Sequence, residues 1–440
     1  MRIGFINPTS DYLHDPFRGD PHTHFHLLTL LESEFQSQIE PLLIDLRGIK
    51  KEFIISHIPE CDIYLHSLYT LDYNEQSEII DNLREVYPKA KHIAGGPHAN
   101  IFPDKCLSLL DSIILGDGEE SVIKAIKDYR EQELEKVYKQ ERVIDINKYP
   151  IPLRKYLPKS AIAKKGIMTL KKKKESENLL GTTVVFTRGC PYSCSFCEIS
   201  QVKDYNPFIR ERESTLIKEE IIYLKNEYGI QGINLLDEIG IPLSRRKAIS
   251  RLEAIAETGI QWRGQCRVDG ITPELAKLAE ESGCVALGLG VESVNQTSLD
   301  IINKRIKVEK AKETIRILKE NNIEARVYLI LGLPGEPENI VEKTWKFINE
   351  TQPEMVYLSI FTIRPGTEVF YNPKKFGIKE ITTDWANNHH MYGRYKEEIP
   401  KTVTFEYEKQ TEWGRGFSKE EIMRNYIELQ TRLREKGLSY

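Results

Sequence analysis

The chain has 440 residues, of which 40% are hydrophobic and 29% are charged, and its formal net charge is -4 at pH 7. This composition excludes a disordered chain and supplies enough apolar side chains for two or three cores. The charge balance gives no general attraction for nucleic acid, and no apolar run is long enough to cross a bilayer. Seven cysteines and no recognisable signal peptide predict a reducing, cytoplasmic location.

Apolar runs alternate with amphipathic segments over residues 1–130. The runs predict five strands, at Arg2 to Asn7, Ile39 to Leu46, Asp62 to His66, His92 to Gly95 and Ser112 to Leu115. Segments such as Gln76 to Val86 predict helices between the strands. This alternation is typical of α/β domains in which a parallel sheet carries helices on both faces, so we expect a doubly wound, Rossmann-like domain.

Ligands of such sheets bind beyond the carboxyl ends of the strands, where glycines allow close backbone approach. The residues at those ends are therefore the candidate ligand contacts: Ser67, Tyr69 and Thr70 after the third strand, Gly95, Gly96, Pro97 and His98 after the fourth, and Gly116, Gly118 and Glu119 after the fifth. A domain that binds a nucleotide, or nothing, is the alternative. Residues 131–180 are charged and contain several prolines, which predicts an extended linker.

Three cysteines lie in the run RGCPYSCSFC at residues 188–197. Cys190, Cys194 and Cys197 can ligate three irons of a four-iron cluster and leave the fourth iron open to a small molecule. A structural zinc site needs four ligands, and nothing nearby supplies the fourth. The spacing, with Phe196 before the last cysteine, resembles the signature of the radical S-adenosylmethionine (radical SAM) superfamily. The resemblance implies a [4Fe-4S] cluster that binds S-adenosylmethionine and cleaves it to methionine and a 5'-deoxyadenosyl radical.

The alternation resumes after the cysteines with barrel-like regularity. Six strands are predicted, at Thr183 to Thr187, Ile233 to Asp237, Gln261 to Asp269, Val285 to Glu292, Ala325 to Gly332 and Met355 to Thr362. They fit the partial (β/α)6 barrel of radical SAM enzymes, which we assign to residues 181–370. A C-terminal extension follows over residues 371–440, with an amphipathic helix from Ser418 to Lys436 that we expect to cover an edge of the barrel.

Catalytic groups of barrels sit at the carboxyl ends of the strands. The radical SAM resemblance implies that S-adenosylmethionine contacts residues at these ends, namely Phe196, Asp237, Glu238, Arg267, Glu292, Ser293, Gly332 and Pro334. Glu292 and Ser293 belong to a G-x-E-S motif of the superfamily. For each carboxylate the alternative is an ion pair with a nearby lysine or arginine, and Arg267 is two residues from Asp269.

The N-terminal half resembles the cobalamin-binding domain that precedes the barrel in one large radical SAM subfamily. The resemblance rests on the turns Gly95 to His98 and Gly116 to Glu119, and it implies that the strand-end residues given above contact cobalamin. Asp20 and His22 match part of a D-x-H-x-x-G motif whose histidine ligates cobalt, but the glycine is missing here. His22 is therefore a candidate pocket residue, and the lower cobalt ligand stays open.

The combined resemblance implies a cobalamin-dependent radical SAM C-methyltransferase that acts on an unactivated carbon. One S-adenosylmethionine would methylate cobalamin and a second would generate the radical. The substrate, whether lipid, peptide, protein side chain or small natural product, is not legible, and an electron donor such as ferredoxin or flavodoxin is implied. The alternatives are a cyclase or rearrangement enzyme with the same cofactors, and a non-catalytic cobalamin or iron-sulfur sensor.

Overall fold

The computed structural model describes residues 1–199, 206–383, 395–396 and 402–439. Its contacts divide the chain into two compact units. The first unit comprises residues 1–162 and 201–210, and the second comprises residues 163–200 and 211–440. The division after Ile162 falls inside the predicted linker. In the described ranges no helix is both long enough and apolar enough to span a bilayer.

The first unit is built on a six-stranded parallel sheet. Its strands are β1 (Arg2–Asn7), β2 (Glu40–Asp45), β3 (Ile63–Ser67), β4 (Lys91–Gly95), β5 (Ser112–Leu115) and β6 (Val137–Lys139). They are arranged in the order β2-β1-β3-β4-β5-β6. The five predicted strands are confirmed to within one residue at either end. The sixth strand was not predicted because three residues are too few to display a period.

Helices cover both faces of this sheet, as expected of a doubly wound domain. The helices of this unit are α1 (His22–Phe35), α2 (Tyr73–Val86), α3 (Pro97–Ile101), α4 (Pro103–Leu107), α5 (Glu119–Glu131) and α6 (Lys159–Ile162). Leu28 of α1 and Val122 of α5 belong to one apolar core, whereas Ile79 of α2 belongs to another. The crossover after β1 leads to β2 on one side of it, and the crossover after β3 leads to β4 on the other side. The switch point, where such sheets bind ligands, is therefore at the ends of β1 and β3.

The second unit contains another six-stranded parallel sheet, in the order β14-β13-β12-β11-β10-β7. The remaining strands of the chain are β7 (Gly181–Val184), β8 (Thr187–Arg188), β9 (Arg210–Glu211), β10 (Gly232–Leu235), β11 (Gln261–Cys266), β12 (Cys284–Glu292), β13 (Glu324–Leu331), β14 (Met355–Ile360), β15 (Ile378–Ile381), β16 (Phe405–Tyr407), β17 (Gln410–Thr411) and β18 (Gly414–Arg415), and all but the first residue of β9 lie in the second unit. Strands β7 and β14 form the two edges of the sheet. The predicted open, partial barrel is confirmed.

The helices of the second unit are α7 (Ser214–Tyr228), α8 (Arg245–Ala256), α9 (Pro273–Glu281), α10 (Gln296–Ile301), α11 (Val308–Glu320), α12 (Ile340–Thr351), α13 (Glu368–Tyr371) and α14 (Lys419–Glu435). Ser418 opens α14 with a capping box, because its hydroxyl accepts from the Glu421 amide and the Glu421 carboxylate accepts from the Ser418 amide. The helix packs on β14, and the Val356 amide of that strand donates to the Leu438 carbonyl at 2.8 Å. The expected cover over the barrel edge is confirmed.

Candidate functional site

The cysteine loop follows β8 and is held from two sides. The Ser195 amide donates to the Ile302 carbonyl at 2.9 Å, and the Asn303 side-chain amide donates to the Ser193 carbonyl at 2.7 Å. On the other side, the Ser195 hydroxyl donates to Oε2 of Glu368 at 2.7 Å. The loop therefore has a fixed conformation that depends on residues more than 100 positions away in sequence.

The three cysteines border one cavity of about 430 Å³ in the second unit. Burial raises the pKa of the Cys190 thiol above its ordinary value and that of Cys197 to about 11. In the described ranges no cysteine is in a disulfide, and no three His, Cys, Asp or Glu side chains are arranged to hold a single metal ion. The three thiols surround a cavity that is larger than a site for a single metal ion. This donor set fits an iron-sulfur cluster with an open corner.

Glu292 reaches this cavity through a local distortion of β12. Its φ is +64°, and the pairing of β12 with β13 is irregular between Gly290 and Glu292. The Glu292 carboxylate accepts from the Lys304 ammonium at 2.6 Å, and both side chains are largely buried. A Cβ at Gly290 would lie 2.7 Å from Glu292 Oε1 and 2.9 Å from Lys304 Nζ. The glycine of the G-x-E-S motif is therefore what leaves room for this ion pair.

Arg267, at the end of β11, lies against the cysteine loop. Its Nη1 is 3.9 Å from Cys194 Sγ, and its guanidinium carbon is 3.5 Å from the centre of the Tyr192 ring. Nε and Nη2 donate to the Asp269 carboxylate at 3.0 and 3.1 Å, and Nη2 also donates to the Lys304 carbonyl at 2.8 Å. The alternative pairing of Arg267 with Asp269 is thus present, and the arginine borders the cavity as well.

The adjacent carboxylates Asp237 and Glu238 have different surroundings. Glu238 lines the cavity. Asp237 is fully buried, pairs with Arg251 at 3.0 Å and accepts from the Phe186 amide at 2.7 Å. The Asp237 carboxylate is therefore paired inside the second unit. Of the two adjacent carboxylates, Glu238 is the one on the cavity wall.

The other sequence-predicted residues of the second unit are divided between the cavity and its surroundings. Phe196 lines the cavity. Ser293 is buried, and its hydroxyl accepts from the Asn295 amide at 3.1 Å in a local turn. Gly332, with φ +87°, and Pro334 belong to the turn after β13.

Sequence reasoning missed the group that holds the turn after β13. The Gly332 amide donates to Glu336 Oε2 at 2.9 Å, and the Tyr407 hydroxyl donates to the Gly332 carbonyl at 2.8 Å. Burial raises the pKa of Glu336 to about 8. A glutamate just after a glycine-rich turn is a weak signal for this role, because the sequence does not show which way it points.

Several further cavity-lining residues were also missed. They include Gln265, Lys304, Tyr328, Tyr357 and Ser359. Tyr328 and Tyr357 occupy paired positions on β13 and β14, and their rings stack with centroids 5.0 Å apart. Period-two alternation in these strands could have identified the two tyrosines, whereas Lys304 lies in a loop whose course depends on the fold.

In the first unit, the turn after β4 is joined to the loop after β3. Gly96 has φ +103°, and a Cβ there would lie 2.8 Å from the Leu68 carbonyl oxygen. The Leu68 amide donates to the Gly95 carbonyl at 2.8 Å, and Nδ1 of His98 is 3.2 Å from the Thr70 hydroxyl. The structure therefore brings together residues that the sequence placed at two separate strand ends.

His98 is inaccessible to solvent despite its position beside this turn. Its ring stacks on Tyr73 with centroids 4.2 Å apart, and it lies 4.9 Å from the Phe102 ring. Pro97 begins α3 beside it. Ser67, at the end of β3, is buried with its carbonyl accepting from the Gln76 side chain at 2.9 Å, whereas Tyr69 is half exposed. Of this group, Tyr69 is the side chain most accessible to a ligand.

The turn after β5 has internal partners as well. Gly116 has φ +87°, and its amide donates to the Asn100 side chain at 3.0 Å. Asp117 pairs with Arg210. Gly118 precedes α5, and Glu119 is buried with Oε1 2.9 Å from Nε2 of His26. The turn is consequently fixed by residues distant in sequence.

Histidines in the histidine-rich segment at the start of α1 also have hydrogen-bond partners within the first unit. Nδ1 of His22 is 3.1 Å from Nη1 of Arg154. Because arginine only donates, this contact requires an unprotonated Nδ1 on His22. His24 bonds to the Ile6 carbonyl at 3.0 Å.

Comparison with known proteins identifies the central part of the second unit. Residues 184–348 match the sequence model of the Radical SAM superfamily. The chain is 27% identical to the anaerobic magnesium-protoporphyrin IX monomethyl ester cyclase of Cereibacter sphaeroides, over 84% of this chain and 63% of that protein. It is 24% identical to the bacteriochlorophyllide d C-12(1)-methyltransferase of Chlorobaculum tepidum, over 68% of this chain and 63% of that protein. The chain thus spans less than two thirds of the length of these relatives.

Among solved structures, the fold is similar to that of the radical S-adenosylmethionine methyltransferase TsrM from Kitasatospora setae, solved with cobalamin and a [4Fe-4S] cluster. The TM-score is 0.67 and the identity 16%, and the alignment covers 87% of this chain and 81% of TsrM. At this identity the likeness is one of fold. The superfamily match includes the cysteine loop and the strands and helices that surround it, so this part of the second unit is a radical SAM domain.

Proposed function

We propose that this chain is a cobalamin-dependent radical SAM enzyme, and specifically a C-methyltransferase that acts on an unactivated carbon. The observation that carries the proposal is the cavity of the second unit, which three cysteine thiols border together with Glu238 and Glu292. The fold of TsrM and the match to a bacteriochlorophyllide methyltransferase support the methyl-transfer part of the proposal.

In this proposal, Cys190, Cys194 and Cys197 hold a [4Fe-4S] cluster. When bound, the cluster supplies the electron that cleaves S-adenosylmethionine to a 5'-deoxyadenosyl radical, and cobalamin carries the methyl group. Acidic side chains on the cavity wall suit the cationic amino group of S-adenosylmethionine, which favours Glu238 and Glu292 as its contacts. Phe196 borders the same space. The proposal also includes five residues that surround these contacts, namely Arg267, Asp237, Ser293, Gly332 and Pro334.

Cobalamin binding is assigned to the first unit, at the switch point beside β1 and β3 and at the turns after β4 and β5. Gly96 and Gly116 have positive φ values, which favour glycine, and the absence of a Cβ also allows a large ligand to approach the backbone there. The boundaries 1–130, 131–180, 181–370 and 371–440 for cobalamin domain, linker, barrel and extension remain part of the proposal. So do an organic substrate and a reductant of the ferredoxin or flavodoxin type.

A cyclase or rearrangement enzyme is the second candidate. It is favoured by the match to a magnesium-protoporphyrin ester cyclase over 84% of this chain. The two candidates share cofactors and differ in products: methyl transfer forms S-adenosylhomocysteine as well as 5'-deoxyadenosine, whereas cyclisation or rearrangement forms 5'-deoxyadenosine alone.

The test is anoxic reconstitution with iron, sulfide and cobalamin, followed by reduction with dithionite and mass spectrometry of the products from S-adenosylmethionine. Both nucleosides are expected. Formation of 5'-deoxyadenosine alone supports the second candidate. The absence of both products would contradict both enzymatic functions.

A cysteine variant with a matched control separates cluster ligation from folding. Cys194→Ala is expected to lose the cluster absorbance and 5'-deoxyadenosine formation while it retains cobalamin. Cys284 is a buried cysteine of β12 outside the cavity, so Cys284→Ala is expected to keep both cofactors. Retention of a full cluster by Cys194→Ala would contradict the assignment.

A further inference from the structure

Arg267 is a buried cation beside one of the three cysteines. Only 6% of its surface is exposed, and Nη1 lies 3.9 Å from Cys194 Sγ. The guanidinium also lies over the Tyr192 ring, two residues before Cys194, with 3.5 Å between its central carbon and the ring centre. Two separate contacts with the cysteine loop therefore position the positive charge close to a sulfur.

The other two nitrogens of Arg267 are held elsewhere. Nε and Nη2 form a fork on the Asp269 carboxylate, and Nη2 also donates to the Lys304 carbonyl. A planar guanidinium held in this way has little freedom to turn. Nη1 is thus left facing the cysteine sulfur, and the arrangement is rigid.

Lys304, another cation of the cavity wall, is arranged differently. The Lys304 ammonium bonds to Glu292 at 2.6 Å, so its charge is directed at a carboxylate. Arg267 has its carboxylate on one edge and the sulfur on another. Arg364, the third cation of the cavity wall, pairs with Glu198. Of the three cations, Arg267 is the one whose hydrogen-bond donor faces a cluster ligand.

We propose that Arg267 is a positioning residue that raises the reduction potential of the cluster ligated by Cys190, Cys194 and Cys197. This inference rests on the cluster of the proposed function. Reduction adds one electron to the cluster, and a nearby fixed cation stabilises the more negative, reduced form more than the oxidised form. Hydrogen bonds and charges around the ligands are known determinants of cluster potentials.

The test is a redox titration of the reconstituted protein, without S-adenosylmethionine, in which the electron paramagnetic resonance signal of the reduced cluster is measured against potential. Arg267→Gln is expected to favour the oxidised cluster at least tenfold more than the wild type. For one electron this is a negative shift of about 59 mV. Arg267→Lys keeps the charge without the fork and is expected to shift the potential less.

Two further variants make the test specific. Asp269→Asn removes the negative charge behind the guanidinium, so the potential is expected to rise. Arg245→Gln removes an arginine of an exposed ion pair with Glu274, and no shift is expected. Iron and sulfide contents establish that each protein carries a complete cluster.

An Arg267→Gln protein with a full cluster and an unchanged potential would overturn the inference. If that variant fails to load a cluster, Arg267→Lys decides: a negative shift supports the inference and an unchanged or higher potential overturns it. A wild-type protein that binds no cluster overturns both proposals. A shifted potential in a protein that does not cleave S-adenosylmethionine supports the role of Arg267 and contradicts the proposed function alone.

Discussion

In the second unit, two buried carboxylates are each paired with a base, whereas in the first unit four buried histidines are kept neutral by their surroundings. Asp237 pairs with Arg251 and Glu292 pairs with Lys304, all largely buried. Burial lowers the pKa of His24, His92 and His98 to about 4 and that of His66 well below its ordinary value. These two sets of groups therefore meet the cost of burial in different ways.

The neutral histidines form contacts that require an unprotonated ring nitrogen. Nδ1 of His66 is 3.2 Å from Oε1 of Gln76, and its Nε2 is 3.2 Å from Nδ1 of His92. Because Gln76 Oε1 accepts, Nδ1 of His66 donates and Nε2 accepts from His92. This series of hydrogen bonds continues to Ser67, whose carbonyl accepts from the Gln76 side chain. A buried ion pair destabilises the fold when one partner is removed, whereas a buried neutral histidine destabilises it when the pH falls and the ring is protonated in the unfolded chain.

The largest expected effect is an opposite response of the two units to pH. A histidine with a pKa near 4 in the folded state and 6.5 in the unfolded state lets the unfolded chain bind more protons between these values. Stability is then full above pH 6.5 and is lost as the pH falls, by about 2 kcal/mol for each such histidine at pH 5. His24, His92 and His98 act in the same direction, and Asp72, whose pKa burial raises to about 7, offsets part of their combined cost to the first unit at pH 5.

Glu336 gives the second unit the opposite slope. Its pKa is about 8 in the folded state, above its ordinary value of 4.5, because of burial. This contribution to stability is present below pH 4.5 and is lost as the pH rises toward 8. All four tryptophans, at residues 262, 345, 385 and 413, are in the second unit, so tryptophan fluorescence reports its unfolding by guanidinium. Amide hydrogen exchange in β3 and β4 reports the first unit.

Two variants link these slopes to the named groups. His98→Phe preserves the stacking on Tyr73 and should reduce the pH dependence of the first unit by about 1.4 kcal/mol per pH unit below 6.5. Glu336→Gln should abolish the rise in stability of the second unit between pH 8 and 5. Parallel loss of stability by both units on acidification would contradict the comparison.

The next effect is the loss of one member of a buried ion pair. Arg251→Met leaves the Asp237 carboxylate buried without its cation, and it also removes a donor to the Thr187 hydroxyl at 2.7 Å. The expected cost is about 3–5 kcal/mol of unfolding free energy of the second unit, measured by tryptophan fluorescence in guanidinium. The matched control is Lys277→Met, which removes an exposed pair with Glu281 and should cost less than about 0.5 kcal/mol. A decrease in the free energy of unfolding below about 1 kcal/mol for Arg251→Met would contradict the claim that the buried Asp237 carboxylate depends on its cation.

The fold was largely predictable from the sequence because strands buried on both faces leave strong apolar runs. Eleven such runs marked the strands of the two large sheets, and the twelfth, β6, has only three residues. The order of the strands in the first sheet could not be read from the sequence. It depends on the direction of each crossover, and that order is what brings the ends of β1 and β3 together as a switch point.

The candidate site was predictable in its motifs and not in its pairings. The sequence marks Asp237 and Glu238 equally. Both residues follow the end of β10, and only the fold determines that Asp237 pairs with Arg251 while Glu238 borders the cavity. Lys304 and Arg251 had no motif at all. Their roles depend on where a loop and a helix bring them, Lys304 beside Glu292 and Arg251 beside Asp237.

The smallest expected effects contrast a glycine from each unit. Gly96 has φ +103°, and a Cβ there would meet the backbone of Leu68, with its oxygen at 2.8 Å and its nitrogen at 2.9 Å. Gly290 has an ordinary φ, and its Cβ would meet the flexible ends of Glu292 and Lys304. Backbone yields less readily than side-chain ends, so we expect Gly96→Ala to cost about 2–3 kcal/mol and Gly290→Ala about 1 kcal/mol. Hydrogen exchange in β3 and β4 measures the first, and tryptophan fluorescence in guanidinium measures the second. Equal costs would contradict the view that the turn of the first unit is constrained by backbone and the bulge of the second by a movable ion pair.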